Sequence, residues 1–367
     1  MNTFRIILTT GGTGGHIFPA LAVAEQIQRL NPQAEILFVG SQYGPESKLA
    51  QEAGLQFIGL PVRGVLGRGF RALSALAAMA RAICSARGII ARFCPDVVAG
   101  FGSYASMPAM AAARLAGIPI AVHEQNAVSG LSNRLMGRMA SRIFLSLPDH
   151  LHSFDEKRCI FTGNPVRSAI ASLFNVRPKH RDDPRPHLLV MGGSQGAKAI
   201  NSAILASLPR FSEIFIRHQT GAADYERVKA GYEAHGINND QADVLPFISD
   251  VAAAYADADI VLCRAGATTV AELALAGKPS VLIPFPYATH DHQTGNARAM
   301  ENAGAAVLIA EKELPERDLT GEVLELLHDP QRLEAMGRAA RKCAKPNAAH
   351  DVACGLFKLK AERNDAK

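Results

Sequence analysis

A short apolar run, a glycine-rich turn and a stretch of helix-spaced apolar residues follow one another twice, at the start of the chain and again halfway along. The first copy is Phe4 to Leu8, then Gly11-Gly12-Thr13-Gly14-Gly15-His16, then Ile17 to Leu30. A run that is apolar at nearly every position suits a strand covered on both faces, as in a parallel sheet flanked by helices. A further strand at Glu35 to Val39 completes a β-α-β unit. Its turn falls at the carboxyl end of the first strand, where open α/β sheets take ligands. The second copy is strand His187 to Met191, turn Gly192-Gly193-Ser194-Gln195-Gly196 and helix Ala197 to Leu208. Before it, Asn175 to His187 is polar and proline-rich, the composition of an exposed connection. The fold class is therefore α/β, with two Rossmann-like domains facing across a cleft lined by both turns. A length of 367 residues allows two cores, and the absence of tryptophan suits helices packed closely on parallel sheets.

Two more turns in the first half share this layout. Asp96 to Gly100 is a strand leading into Gly102-Ser103-Tyr104, and the strand Ile118 to Val122 ends in His123-Glu124-Gln125-Asn126. The opening turn lacks the Gly-Lys-Ser/Thr of an ATP-binding loop, and Ile17 stands where a dinucleotide fingerprint has its third glycine. What remains is either a backbone cradle for phosphate at a helix start or simply a tight turn. His16 lies at the positive end of that helix, which disfavours an imidazolium. Two readings fit it: a general base, or a ring that hydrogen-bonds the loop or a phosphate.

Ala258 to Asn296 carries the most chemistry. Strand Asp259 to Cys263 runs through Arg264-Ala265-Gly266-Ala267 into a helix from Thr268 to Ala276, then strand Lys278 to Pro284 and a loop bearing His290, Asp291, His292, Gln293 and Asn296. The helix start can meet a diphosphate. Glu272, about one turn in, can accept both hydroxyls of a ribose. Its apolar neighbours Val270, Ala271, Leu273 and Ala274 argue against a merely solvated carboxylate. The Gln293 amide can bond sugar hydroxyls.

Charge is distributed unevenly. Between Ala53 and Pro148 stand ten arginines and two acids, a formal +8 in a chain whose total is +5, so the remainder is −3. That asymmetry points to an anionic partner. Arg68, Arg71, Arg81 and Arg87 interrupt the apolar stretch from Val65 to Ile90, which excludes a membrane span but allows a helix lying on a membrane surface. The candidate membrane patch is Val65, Leu66 and Phe70 with Arg68 and Arg71; the alternative is a core helix with a solvated arginine face. Six cysteines without CxxC or zinc-like spacing read as inert thiols. Arg5 to Leu8 runs straight into the glycine turn with no signal-peptide pattern, so a cytoplasmic protein is expected. No cofactor and no metal site are expected.

Taken together, GGTGGH, HEQN, GNPVR, GGSQGA, AGATTVAE and DHQTGNA, in this order over nearly the whole chain, resemble the MurG family of glycosyltransferases. The resemblance implies a GT-B fold and transfer of GlcNAc from UDP-GlcNAc to the 4-hydroxyl of MurNAc in undecaprenyl-pyrophosphoryl-MurNAc-pentapeptide, with inversion, for peptidoglycan synthesis. It implies an acceptor-binding, membrane-facing domain over 1–165, a UDP-GlcNAc domain over 166–343, and a tail over 344–367 packing back on the first. Carried over by motif, Thr13, Gly14 and Gly15 face the transferred sugar and the acceptor pyrophosphate, and Asn126 contacts the donor sugar. Arg167 pairs with donor phosphate, Ser194 bonds near it, and Ile248 presents its backbone to uracil. Ala267, Thr268, Thr269, Val270, Ala271 and Glu272 hold diphosphate and ribose, and Gln293 the GlcNAc hydroxyls. His16 and Glu124 are the candidate bases. The implied partners are UDP-GlcNAc, the lipid-linked muramyl peptide, an anionic membrane surface at the cytoplasmic face of the inner membrane, and cell-wall or division proteins. Three rivals are a transferase for a small hydrophobic acceptor, a UDP-GlcNAc epimerase and a nucleic-acid-binding protein. The last lacks interleaved aromatics, so no nucleic-acid partner is expected.

Overall fold

The computed structural model describes residues 3–62, 72–149, 151–176, 181, 183–193, 195–288 and 291–365. The chain forms two compact units, one of Met1–Arg167 with Asn347–Lys367 and one of Ser168–Pro346.

The first unit holds a seven-stranded sheet: β1 (Arg5–Thr9), β2 (Glu35–Ser41), β3 (Gln56–Leu60), β4 (Val97–Gly100), β5 (Ile120–Glu124), β6 (Arg142–Leu145) and β7 (Cys159–Phe161). All pairs are parallel, in the order β3-β2-β1-β4-β5-β6-β7. Alternation along the strands feeds two cores. Ile7, Val39, Val98 and Val122 face Ala82, Ala86, Ile89 and Ile90 of the helix Ala72–Phe93. Ile6, Leu8, Phe38 and Val97 face Ile17, Val23 and Ile27 of the helix Gly14–Leu30. Helices on both faces explain why the middles of β1, β2, β4 and β5 carry consecutive apolar residues.

The last helix, Ala348–Asp365, also belongs to this core through Val352, Leu356 and Leu359, each at most 2% exposed. Burying those three side chains contributes about 5 to 9 kcal/mol. Gly355 lets the helix approach closely, since a Cβ there would lie 2.5 Å from Cε1 of Phe144. The rings of Phe4 and Phe357 lie 4.5 Å apart. Lys360 Nζ sits 2.9 Å from Asp96 Oδ2 and donates to the carbonyl of Thr3 at 3.0 Å.

The second unit repeats the plan with β8 (His187–Met191), β9 (Phe215–Gln219), β10 (Ala242–Leu245), β11 (Ile260–Cys263), β12 (Ser280–Leu282) and β13 (Ala306–Leu308). The parallel order is β10-β9-β8-β11-β12-β13. In each sheet the strand order reverses at one point, between β1 and β4 and between β8 and β11. The crevice beyond the carboxyl ends at such a reversal is where these sheets bind ligands. The turns after all four strands are those whose glycines the sequence marks.

The proline-rich segment departs from expectation, because its described residues are fastened rather than loose. Arg181 donates to the carbonyls of Asp257 and Arg185 and to Asp259 Oδ2, and Arg185 pairs with Asp183. Arginines meeting carbonyls and carboxylates at the amino edge of β8 and β11 make this segment part of the second unit. The described part of the apolar stretch forms the helix Ala72–Phe93; among the described residues no helix is long and apolar enough to cross a membrane.

Candidate active site

In the first unit the chain turns from β1 into the helix Gly14–Leu30 without a side-chain cap, and the carbonyl of Thr13 accepts from the backbone N–H of His16 at 3.1 Å. Glu46, wholly buried, accepts from the N–H of Gly12 at 2.9 Å and so holds the glycine turn. A cavity of about 350 Å³ opens here, between Gly12, Tyr43, Glu46, Ser103 and Tyr104. Thr13 and Gly15 are exposed on the turn and Gly14 is half-buried. His16 is half-buried, its Nδ1 2.9 Å from Oε1 of Gln125. The ring edge lies against Gly102, where φ is +96° and a Cβ would come within 2.9 Å of Nδ1.

Glu124 ends β5 with 3% exposure, and its carboxylate is fully engaged. Oε1 accepts from the backbone N–H and the side-chain amide of Asn126, and Oε2 from the N–H of Gly130 and the amide of Asn133. Four donors thus occupy both oxygens of one carboxylate. Glu124 therefore shapes the 126–130 turn. The Arg167 guanidinium stacks 4.4 Å over the ring of Phe18.

In the second unit the helix Ala267–Ala276 starts after Gly266, again with no side-chain cap and no acid in its first turn. The helix Lys198–Ser207 after the other glycine turn starts the same way. By contrast Asp250, Asp318 and Asp329 each cap a helix in this unit. Helix starts left uncapped at the carboxyl ends of β8 and β11 suit an anion. Thr268 and Val270 are buried, Ala267, Thr269 and Ala271 half-buried. Glu272 is 7% exposed, and its Oε2 accepts from the hydroxyl of Tyr255 at 3.1 Å.

Two side chains fix the turn that follows β12. Gln293 Oε1 accepts from the N–H of Phe285 at 3.0 Å, which directs its NH2 group away from that backbone. Arg264 donates to the carbonyls of Ile283 and Pro284 and pairs with Glu311. Asn296, fully buried in the helix His292–Asn302, donates to the carbonyl of Ala265 at 3.1 Å and ties that helix to the turn after β11. Ile248 is buried at 5%, so its backbone rather than its side chain is what a ligand could meet.

The first unit thus gathers Thr13, Gly14, Gly15, His16, Glu124 and Asn126 around the ends of β1, β4 and β5. The second gathers Ala267 to Glu272 and Gln293 around β11 and β12. Ser194 and the patch Val65, Leu66, Arg68, Phe70 and Arg71 lie outside the described residues. Sequence reasoning missed Glu46, Gln125, Tyr255 and Arg264, whose partners are distant in the chain. It also passed over Asp257-Ala258-Asp259, an Asp-x-Asp spacing. These carboxylates sit at the amino edge of β11, where Asp259 Oδ2 accepts from the N–H of His187 at 2.7 Å and Asp257 Oδ2 lies 2.9 Å from its Nδ1. They are structural anchors at the end of the sheet away from the glycine turns.

Residues 6–145 match the glycosyltransferase family 28 N-terminal domain, and residues 187–352 the C-terminal domain of the same family. A UDP-N-acetylglucosamine--N-acetylmuramyl-(pentapeptide) pyrophosphoryl-undecaprenol N-acetylglucosamine transferase from Nitratidesulfovibrio vulgaris (strain DSM 19637 / Miyazaki F) is 54% identical, with 98% of each chain covered. Its counterpart from Lawsonia intracellularis is 52% identical over 97% of this chain and 98% of that one. The crystal structure of Acinetobacter baumannii MurG superposes with a TM-score of 0.76 at 33% identity, covering 97% and 99% of the two chains.

Proposed function

The chain belongs to glycosyltransferase family 28, and we infer that it works by a single inverting displacement with His16 as the base. It moves N-acetylglucosamine from UDP-GlcNAc to undecaprenyl-pyrophosphoryl-MurNAc-pentapeptide, in peptidoglycan synthesis. The observation that carries the donor half of this reading is the helix Ala267–Ala276. It joins an uncapped start, suited to a diphosphate, to a buried carboxylate at Glu272, suited to a ribose diol.

In this mechanism the 4-hydroxyl oxygen of MurNAc attacks the anomeric carbon of GlcNAc, and His16 takes its proton. The bond from that carbon to the β-phosphate oxygen breaks, and UDP leaves with the electron pair. Backbone N–H groups at the helix start and the Arg167 guanidinium receive the developing charge. His16 fits the base role better than Glu124, whose oxygens already serve four donors. Thr13, Gly14 and Gly15 meet the sugar and the acceptor pyrophosphate, Asn126 and Gln293 the GlcNAc, Ile248 the uracil, and Ser194 the diphosphate.

The acceptor carries a polyprenyl chain, so the enzyme works as a peripheral protein at the cytoplasmic face of the membrane. The arginine-rich stretch with Val65, Leu66, Arg68, Phe70 and Arg71 meets anionic headgroups, each charge contributing roughly 1 kcal/mol. Incubation with UDP-GlcNAc and a lipid-linked muramyl pentapeptide, followed by mass spectrometry, tests the reaction. An acceptor that gains no N-acetylhexosamine while UDP-GlcNAc is bound would overturn it.

A further inference from the structure

We propose that Gln125 is a positioning residue that holds His16 in the Nδ1–H tautomer, so that Nε2 is the basic atom. The proposal rests on His16 being the base and names what sets its polarity. Gln125 is 1% exposed, and its amide has one workable orientation. Nε2 lies 3.0 Å from the carbonyl of Phe101, 3.1 Å from Nδ1 of His123 and 3.4 Å from the carbonyl of His123. Carbonyl oxygens only accept, so the NH2 group must face them. The opposite orientation would set the amide oxygen against two carbonyls. Oε1 is thereby left facing Nδ1 of His16 at 2.9 Å, and an oxygen acceptor there requires a hydrogen on Nδ1.

The far end of the chain agrees. His123 is fully buried, and burial lowers its pKa to about 4, so it is neutral at ordinary pH. Its Nε2 lies 3.3 Å from the carbonyl of Gly163, which places its hydrogen there and leaves Nδ1 as the acceptor for Gln125. Polarity then runs one way: His16 Nδ1–H to Gln125 Oε1, Gln125 N–H to His123 Nδ1, and His123 Nε2–H to Gly163. Every donor meets an acceptor only if His16 keeps its lone pair on Nε2. A neutral histidine whose partner fixes one nitrogen as the donor is basic only at the other.

The test is a long-range proton–nitrogen correlation spectrum of the 15N-labelled full-length enzyme, with the His16 signals assigned by their loss in His16→Asn. The expected pattern for neutral His16 is a protonated Nδ1 and a bare Nε2. Gln125→Met keeps the shape and removes the acceptor. It should mix the two tautomers and lower kcat on the order of 10²-fold, with KM for UDP-GlcNAc unchanged. A wild-type spectrum with the proton on Nε2, or Gln125→Met with full kcat and an unchanged pattern, overturns the proposal. If Gln125→Met does not fold, the wild-type spectrum decides alone. That spectrum is recorded without substrate, so its outcome is separate from whether UDP-GlcNAc is the donor.

Discussion

The hydroxyl of Tyr255 donates to Oε2 of Glu272 across 3.1 Å, joining the last turn of the helix Val251–Asp257 to the middle of the helix Ala267–Ala276. The bond helps to aim a buried carboxylate.

Removing that carboxylate should be felt in donor affinity. Hydrogen bonds to a charged group are worth about 1.5 to 3 kcal/mol. Glu272→Ala is therefore expected to weaken UDP-GlcNAc binding by at least about tenfold, and Tyr255→Phe by less. Titration calorimetry measures both; a Glu272→Ala protein that binds the donor as the wild type does would remove the ribose assignment.

Gly102 serves the other unit. Its φ of +96° is one that residues with a side chain rarely adopt, and a Cβ would meet His16 Nδ1 at 2.9 Å. Gly102→Ala should displace the imidazole and lower kcat on the order of 10²-fold, as misplacement of a reacting group by an ångström can do. UDP-GlcNAc affinity should stay as it is. Steady-state kinetics beside calorimetry separate the two effects, and an unaltered kcat counts against the ring's role.

Acid should destabilise the fold before carboxylates titrate. Burial lowers the His123 pKa to about 4 and that of His218 to about 3. Below pH about 6.5 the unfolded chain gains protons on these rings that the folded chain refuses, so stability falls from there down to about pH 4. His123 alone accounts for about 3 kcal/mol across that window. Urea unfolding at pH 7.5 and pH 5 measures the slope, which His123→Gln should flatten.

Close packing of the final helix gives a stability test. Gly355→Val would force the helix away from Phe144 and should destabilise by about 1 to 3 kcal/mol. Thermal unfolding reads this; an unchanged Tm would show that the helix can shift without penalty.

Charge reversal at Arg68 and Arg71 should weaken co-sedimentation with anionic vesicles by roughly 1 kcal/mol for each charge removed. UDP-GlcNAc affinity should hold. Vesicle binding equal to that of the wild type would take these arginines out of the membrane contact.

The sheets were legible because Phe4 to Leu8 and His187 to Met191 are apolar at nearly every position, a pattern that only burial on both faces demands. The turns were legible because glycines punctuate the ends of β1, β4, β8 and β11. The partners that orient the site were not. Gln125 lies 109 positions from His16 and Tyr255 lies 17 from Glu272, so nothing local couples them. Glu46 sits in an ordinary-looking helical segment, and only the fold brings it under Gly12. The segment from Asn175 to His187 misled for a related reason. Arginine and proline look solvated in sequence, yet Arg181 reaches two acceptors, the Asp257 carbonyl and Asp259 Oδ2, at the amino edge of β11.

Because Lys360 donates to the carbonyl of Thr3 at 3.0 Å, the first unit is sewn from segments that precede and follow the second in the chain. A ribosome making this protein releases the middle portion complete while the beginning still waits for its closing helix. The usual order, in which the earliest-made domain matures first, is therefore reversed. A message cut short at the codon for Pro346 yields a nascent chain whose His16-bearing portion leaves bare the apolar surface that Val352, Leu356 and Leu359 would cover.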